Sequence, residues 1–560
     1  MEAMKKFRIN FGNDEVIAGV LLTLAACFMF FIYSPLELYF TNKNEFWFDF
    51  PLLFGSMIIV FLTLFAVGLA ILFLVGKFSR KTYRVLIVLE FAAFISAYIQ
   101  GNFLVKNLPP LDGRWIEWDQ YPVERIKSIL LWTSVIIITV LLVKMIKKDK
   151  FYKLVKCISI FSVLMLTITV ISVGLMNDGF GVKPDMSVTE NNQLKMSSDS
   201  NFIILLLDAV DAKAWEIAAE EHPEYRETLK DFTFFNNAMG TYAFTKCSIP
   251  YILTGEWFEN EETFEEYSKK AYLNSPLFKS LQQKGYQMNL YEEQVILNDE
   301  GFYMFDNVLP NERGVNSWTT FMRWQIQMTG FKYAPFDLKR ICFVNPDAFM
   351  TLRIPPKGSE VFVASNKKFY ESILNTDVDI CPEKQFKFIH LEGAHLPFQY
   401  DENVNVIENG SYAGNLEASM TITKAYLDKL KEEGVYDNSI IIIMADHGYN
   451  WEDLGDSSTR QNPILFIKGI GEEHEFGESA IPVSWEDLQE TYEKLLAGKD
   501  SMSVFDWEEG EYRQRRYLYY EFNKEDKIYE YIQSGHVRDY ETFKPTGRIY
   551  EQGGMIASDK

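Results

Sequence analysis

The sequence predicts an α/β fold with a mostly parallel sheet, carried behind an N-terminal bundle of five transmembrane helices. Three observations predict it. Five apolar runs, at roughly 15–35, 51–75, 84–104, 127–146 and 155–176, each approach the ~20 residues a helix needs to cross a bilayer. From residue 201 onward, short continuous apolar runs alternate with helical stretches. Three of those runs lead into Asp208, His395 and Asp446-His447, which are residues that bind divalent cations.

The bundle comes first along the chain. A length of 560 residues allows two or three units. The composition, 48% hydrophobic with a mean hydropathy of -0.09, averages over a split: apolar residues crowd the first third and acidic residues follow it. Lys5, Lys6 and Arg8 precede the first run, Lys77, Arg80, Lys81 and Arg84 follow the second, and Lys144, Lys147, Lys148, Lys150 and Lys153 follow the fourth. An excess of cations on cytoplasmic loops then places the N-terminus inside and everything after Met176 outside. The first run lacks a small-residue cleavage site and reads as a retained anchor. Glu90, inside the third run, is expected to face the bundle interior. Residues 1–176 therefore form the transmembrane domain. Polar residues 177–200 read as a linker, and residues 201–560 as the outer catalytic domain.

A net charge of -22 repels polyanions, so no nucleic-acid partner is expected. No GxxxxGK[ST] loop or zinc-finger spacing is present. Of five cysteines, Cys27 and Cys157 fall in apolar runs. Cys247, Cys342 and Cys381 remain for at most one disulfide, so the outer domain must be held by its core.

In that domain, Phe202–Leu207, Phe386–Leu391, Ile440–Ala445 and Ile464–Ile467 read as strands buried on both faces. Residues 414–433 read as a helix between two of them. Ligands in open α/β sheets bind at the carboxyl ends of strands, which is where Asp208, His395, Asp446 and His447 fall. His390, inside its apolar run, reads as a packed strand residue.

Residues 245–255 read Thr-Lys-Cys-Ser-Ile-Pro-Tyr-Ile-Leu-Thr-Gly, with Pro250 suited to an early helical turn. A helix starting there would stabilise anionic groups. The plain structural reading makes Thr245 or Ser248 an N-cap. The segment is also similar to the sulfatase signature, in which a Cys or Ser is followed by x-Pro-Ser-Arg and, ten positions on, by a Gly preceded by Thr. Thr245, Ser248, Thr254 and Gly255 occupy matching positions. Asp208 matches the first metal-ligand Asp, Asp446-His447-Gly448 resembles the Asp-His-Gly element, and His395 in Ala-His-Leu-Pro-Phe resembles the His-x-Pro-Phe element. The outer domain thus resembles the alkaline phosphatase and sulfatase superfamily over about 201–470, which implies an alkaline-phosphatase-like α/β/α domain.

The departures from the signature refine this. Position 245 is Thr and position 249 is Ile where sulfatases carry Arg, and Thr cannot become formylglycine. A Thr nucleophile behind five spans resembles the lipoteichoic acid synthases and lipid A phosphoethanolamine transferases, in which Glu usually stands at the position of Asp208.

That resemblance implies a phosphotransferase at a bacterial plasma membrane. It would move phosphoglycerol or phosphoethanolamine from a phospholipid donor through phospho-Thr245 to a cell-envelope glycan or lipid acceptor. Asp208, Thr245, Asp446 and His447 would hold one divalent metal ion (Mn, Mg or Zn), which lowers the pKa of the Thr245 hydroxyl. His395 would contact the phosphoryl group or protonate a leaving oxygen. Lys246 and Arg460 are candidate phosphate contacts, and Arg323 with Trp324 candidate head-group contacts. The rival readings are an extracellular hydrolase (phosphodiesterase, phosphatase or sulfuric ester hydrolase) using the same site, and a non-catalytic membrane scaffold.

Overall fold

The structure is a computed structural model of the whole chain. It describes residues 14–43, 46–105, 108, 116–182, 185–297, 299–449, 460–521 and 524–555. The N-terminal cations Lys5, Lys6 and Arg8 lie outside the described residues.

Two compact units form, one from Met1–Asp185 with Asn311–Ile354, the other from Met186–Pro310 with Pro355–Lys560. Among the described residues, the first holds five helices long and apolar enough to cross a membrane: Asp14–Thr41, Phe50–Phe78, Arg80–Leu104, Pro122–Met145 and Lys148–Met176. Thr23 Oγ1 donates to Glu90 Oε1 at 2.7 Å, so Glu90 faces a neighbouring helix. Glu15 takes ion pairs from Arg80 and Arg84 at 2.9 and 2.8 Å.

Two parts of the chain fall elsewhere than their local composition indicates. The polar stretch 177–200 contains two short strands, Met186–Val188 and Lys195–Ser197, which pair with Val308–Pro310 and Asp379–Cys381. The segment Asn311–Ile354, expected in the catalytic domain, belongs to the helical unit. All five cysteines are free thiols.

The second unit is built on a seven-stranded sheet: β1 (Asn201–Leu207), β2 (Thr233–Phe235), β3 (Gln287–Tyr291), β4 (Gln385–Leu391), β5 (Ser439–Met444), β6 (Leu465–Lys468) and β7 (Gly477–Ser479). Their spatial order is β7-β2-β6-β5-β1-β4-β3. β1 runs parallel to β4 and β5, and β3 parallel to β4. β6 alone is antiparallel to its neighbours β5 and β2. The expected mostly parallel sheet is therefore present.

β1 explains why its run is continuously apolar. Phe202, Ile204 and Leu206 point into one core; Ile203, Leu205 and Leu207 point into the other. A strand covered on both faces cannot alternate with polar residues. Helix Tyr412–Glu432 covers the second core and begins at Ser411, whose side chain accepts from Gly414 N. A smaller antiparallel sheet follows: β8 (Arg515–Glu521), β9 (Lys524–Gln533), β10 (Phe543–Glu551) and β11 (Gly554–Met555). Leu518 N donates to Thr241 O at 2.8 Å, tying β8 to the residues just before Thr245.

Candidate active site

Parallel strands bring their carboxyl ends to one edge, and side chains from four of them meet there. Asp208 directly follows β1, and Asp446 and His447 follow β5 after one residue. Both loops are held tightly. Gly393, in the loop after β4, has φ +57°, and a Cβ there would lie 2.3 Å from the backbone N and O of Asp208. Ala394 N donates to Asp208 O at 2.8 Å across this close approach. Ala209 takes the left-handed φ of +60°, uncommon for a residue with a side chain. Its N–H donates to Asp446 Oδ1 at 3.1 Å.

Thr245 opens the helix Thr245–Thr254, whose N-cap is Phe244; neither Thr245 nor Ser248 is the cap. Pro250 lies at the sixth helical position rather than in the first turn. Ser248 Oγ instead donates to Asp446 O at 2.7 Å, fastening the helix to the loop after β5. The left-handed Gly255 (φ +74°) ends the helix.

Donor atoms of Asp208, Asp446 and His447 lie within 4.8 Å of one another, and all three residues are buried. His447 Nε2 stands 3.7 Å from Asp208 Oδ1 and 3.5 Å from Asp446 Oδ2. Thr245 Oγ1 is 3.5 Å from Asp208 Oδ2. Asp208 Oδ1 and Asp446 Oδ2 are buried without a hydrogen-bond partner. Unsatisfied buried carboxylate oxygens are costly, and their convergence with an imidazole nitrogen is a donor set that fits a divalent cation.

The electrostatics agree. Burial, reinforced by the neighbouring charge of Asp446, pushes the Asp208 carboxyl above its usual range. Burial acts on Asp446 too, but His447, His390, the Thr245 hydroxyl and the Ala209 N–H together hold its pKa down. Two carboxylates this close share one proton or one cation.

Two further residues join the cluster. His390, the sixth residue of β4, was expected to be a packed strand residue, and it is buried. Its ring nevertheless bridges the site: Nδ1 lies 2.6 Å from Glu292 Oε2, and Nε2 3.5 Å from Asp208 Oδ2. Burial works against the charged ring, but Glu292 and Asp208 raise its pKa well above the usual imidazole value. Glu292 directly follows β3, so it obeys the same strand-end rule as Asp208. Its strand was not among those expected, because Gln287 and Asn289 interrupt the apolar run.

The remaining expected site residues divide. Arg460 precedes β6, the strand that enters from the site edge, and its guanidinium lies over the Phe244 ring at 4.8 Å. No carboxylate pairs with Arg460 among the described residues. Lys246 is paired with Glu525 at 3.0 Å and sits over the Phe264 ring. His395 is exposed on the loop after β4. Its Nδ1 meets Leu396 O at 2.6 Å, and no hydrogen bond or ion pair joins it to the cluster among the described residues. Arg323 and Trp324 lie in the helical unit, on helix Trp318–Tyr333. Beside Thr245, Ile249, Pro250, Phe264, Tyr272, Glu292 and Ile296 line a cavity of about 150 Å³.

A family model described as Sulfatase matches residues 200–486. Among solved structures, the chain is similar to an alkaline phosphatase superfamily protein from Vibrio parahaemolyticus, at 15% identity over 65% of this chain and 84% of that one, with a TM-score of 0.36. It is similar to a phosphonate monoester hydrolase from Silicibacter pomeroyi, at 14% identity over 63% and 89%, with a TM-score of 0.34. A 2-O GAG sulfatase aligns at 11% identity over 63% and 85%, with a TM-score of 0.36. No curated protein matches the chain.

Proposed function

The chain belongs to the sulfatase family, and we propose that it is a phosphotransferase that moves a phospholipid head group, phosphoglycerol or phosphoethanolamine, through a phospho-Thr245 intermediate. The observation that carries this reading is the identity and placement of the nucleophile. A Thr, which cannot become formylglycine, opens the helix Thr245–Thr254 and sits 3.5 Å from Asp208 beside Asp446 and His447. The five apolar helices add a reason for a lipid donor: a tethered enzyme reaches a head group at the bilayer surface. On the positive-inside reading, the catalytic unit works outside a bacterial plasma membrane and the acceptor is a cell-envelope glycan or lipid.

Asp208, Asp446, His447 and Thr245 Oγ would hold the divalent ion (Mn, Mg or Zn), which when bound makes the Thr245 hydroxyl more acidic and offsets phosphoryl charge. Thr245 Oγ attacks the donor phosphorus. A new P–O bond forms to Thr245, the P–O bond to diacylglycerol breaks, and the diacylglycerol oxygen leaves with a proton. Asp208 Oδ2, at 3.5 Å, is the acceptor facing the Thr245 proton. The transferring anion would be held by backbone N–H groups of the first helical turn and by the guanidinium of Arg460, which lies over the Phe244 ring next to Thr245. His395, exposed on the loop after β4, is the residue we assign to protonating the leaving oxygen, on its resemblance to the His-x-Pro-Phe element. An acceptor hydroxyl then attacks the same phosphorus, and Thr245 regains its proton.

The test is intact and peptide mass spectrometry of full-length protein from cells, wild type against Thr245→Ala. The expected result is an adduct on the peptide carrying Thr245, lost in the variant, whose mass distinguishes glycerol from ethanolamine. A metal-loaded protein that carries no adduct and only hydrolyses diesters would establish the hydrolase instead. Absence of both adduct and metal binding would leave a scaffold.

A further inference from the structure

We propose that the segment Asn311–Ile354 is an interfacial membrane anchor, seated in the phospholipid headgroup layer at one end of the helical bundle. This rests on reading the five apolar helices as membrane spans, and it is independent of the reaction assigned to the site.

The segment interrupts the α/β unit in sequence but is part of the helical unit. It comprises helices Trp318–Tyr333 and Phe336–Lys339 and the 3-10 turns Arg340–Cys342 and Pro346–Leu352. Its polar contacts with the apolar helices and the connections between them reach the same end of the bundle. Trp47 Nε1 donates to Phe349 O at 2.8 Å, and Lys332 pairs with Glu37. Trp47 lies in the connection between the first and second spans, and Glu37 in the last turns of the first. Phe336 N donates to Ser128 Oγ at 3.0 Å, and Arg125 Nε pairs with Asp337 Oδ1 at 2.7 Å. Ser128 and Arg125 are in the opening turns of the fourth span, which begins at Pro122. A segment fastened at that level lies where hydrocarbon gives way to head groups.

Its outer surface suits that layer. Ile341 is 72% exposed, Leu338 and Met350 each 50%, and Trp318 47%. In water such side chains would leave a large apolar patch uncovered. Val123 and Ile126, 54% and 58% exposed on the fourth span, flank Arg125, so the apolar surface continues onto the lipid-facing bundle. The charge of the segment is the reverse of the chain's. Residues 311–354 carry six Lys and Arg against three Asp and Glu, within a protein of net charge -22. Arg323 is exposed with no ion-pair partner among the described residues. Lys332, Arg340 and Arg353 pair with Glu37, Asp119 and Asp185, so Arg323 is an exposed cation left to an anionic head group beside these apolar side chains.

The experiment uses full-length protein in lipid nanodiscs, with Cys157 and Cys342 replaced by Ser. An environment-sensitive fluorophore is attached at Ile341→Cys or, independently, at Met350→Cys. The reference is the same label at Glu473→Cys, an exposed site on the α/β unit. Quenching is measured with a lipid carrying a doxyl group high on its acyl chain, and with aqueous iodide. Lipid quenching at both test sites is expected to exceed the reference about twofold or more, with weaker iodide quenching. Iodide quenching equal to the reference would overturn the proposal. Protection from both quenchers would also overturn it, because it would place the surface against a second protein copy.

Discussion

His390 Nδ1 and Glu292 Oε2 stand 2.6 Å apart, both side chains buried, joining the carboxyl ends of β4 and β3 behind the putting-together of Asp208, Asp446 and His447. The imidazole is thus held between Glu292, at hydrogen-bonding distance, and Asp208, at 3.5 Å.

This arrangement makes Glu292 a positioning residue for the cation donors. Glu292→Gln is expected to weaken divalent-metal binding by about 10- to 100-fold, the usual cost of losing a group that orients a ligand. Calorimetric titration of the metal-free protein measures it. Unchanged affinity would remove Glu292 from the site.

The same pair predicts a pH dependence. The folded pKa of His390 is raised above its unfolded value of about 6.5. Its stabilising contribution is therefore complete below that pH and is lost as pH rises through the folded pKa. In metal-free protein, the Tm advantage of wild type over His390→Gln should be widest in mild acid and shrink at alkaline pH. A gap that widened with pH would contradict the assignment.

Gly393 tests the close approach of the two strand-end loops. Gly393→Ala is expected to destabilise the α/β unit by roughly 2–4 kcal/mol, because the added Cβ meets Asp208 backbone and the left-handed φ disfavours a side chain. Gly434, with φ +68° and open space around it, provides the comparison. Gly434→Ala should cost only about 1 kcal/mol. Equal losses in denaturant melts would show that backbone strain alone matters.

Arg460 lies over the ring of Phe244, next to Thr245, and no carboxylate pairs with it among the described residues. Arg460→Ala is expected to lower kcat/KM on a fluorescent phosphatidylglycerol by about 10- to 100-fold, the worth of a charged hydrogen bond. Arg460→Lys should recover part of that, keeping charge but losing the planar fork. Identical kinetics in all three proteins would leave the guanidinium outside the substrate path.

Much of this site is local enough to read along the chain. Asp208 and Asp446-His447 stand at the ends of apolar runs, and Thr245 stands where a helix begins, so each is legible from its immediate neighbours. Glu292 and His390 are not. They are 98 residues apart, and the strand leading to Glu292 is disguised by Asn289, buried because its side chain meets those of Asn192 and Gln385.

The sequence by itself determined the five apolar helices, the doubly covered strands and the residue types at three strand ends, because hydrophobic periodicity and run length act within a few residues. Only the tertiary structure decided that His390 links Glu292 to Asp208, that Lys246 is neutralised by Glu525 while Arg460 pairs with no carboxylate among the described residues, and that Asn311–Ile354 joins the five apolar helices. Those outcomes depend on which distant side chains the packed strands and helices bring within a few ångströms, a long-range property that no local pattern encodes.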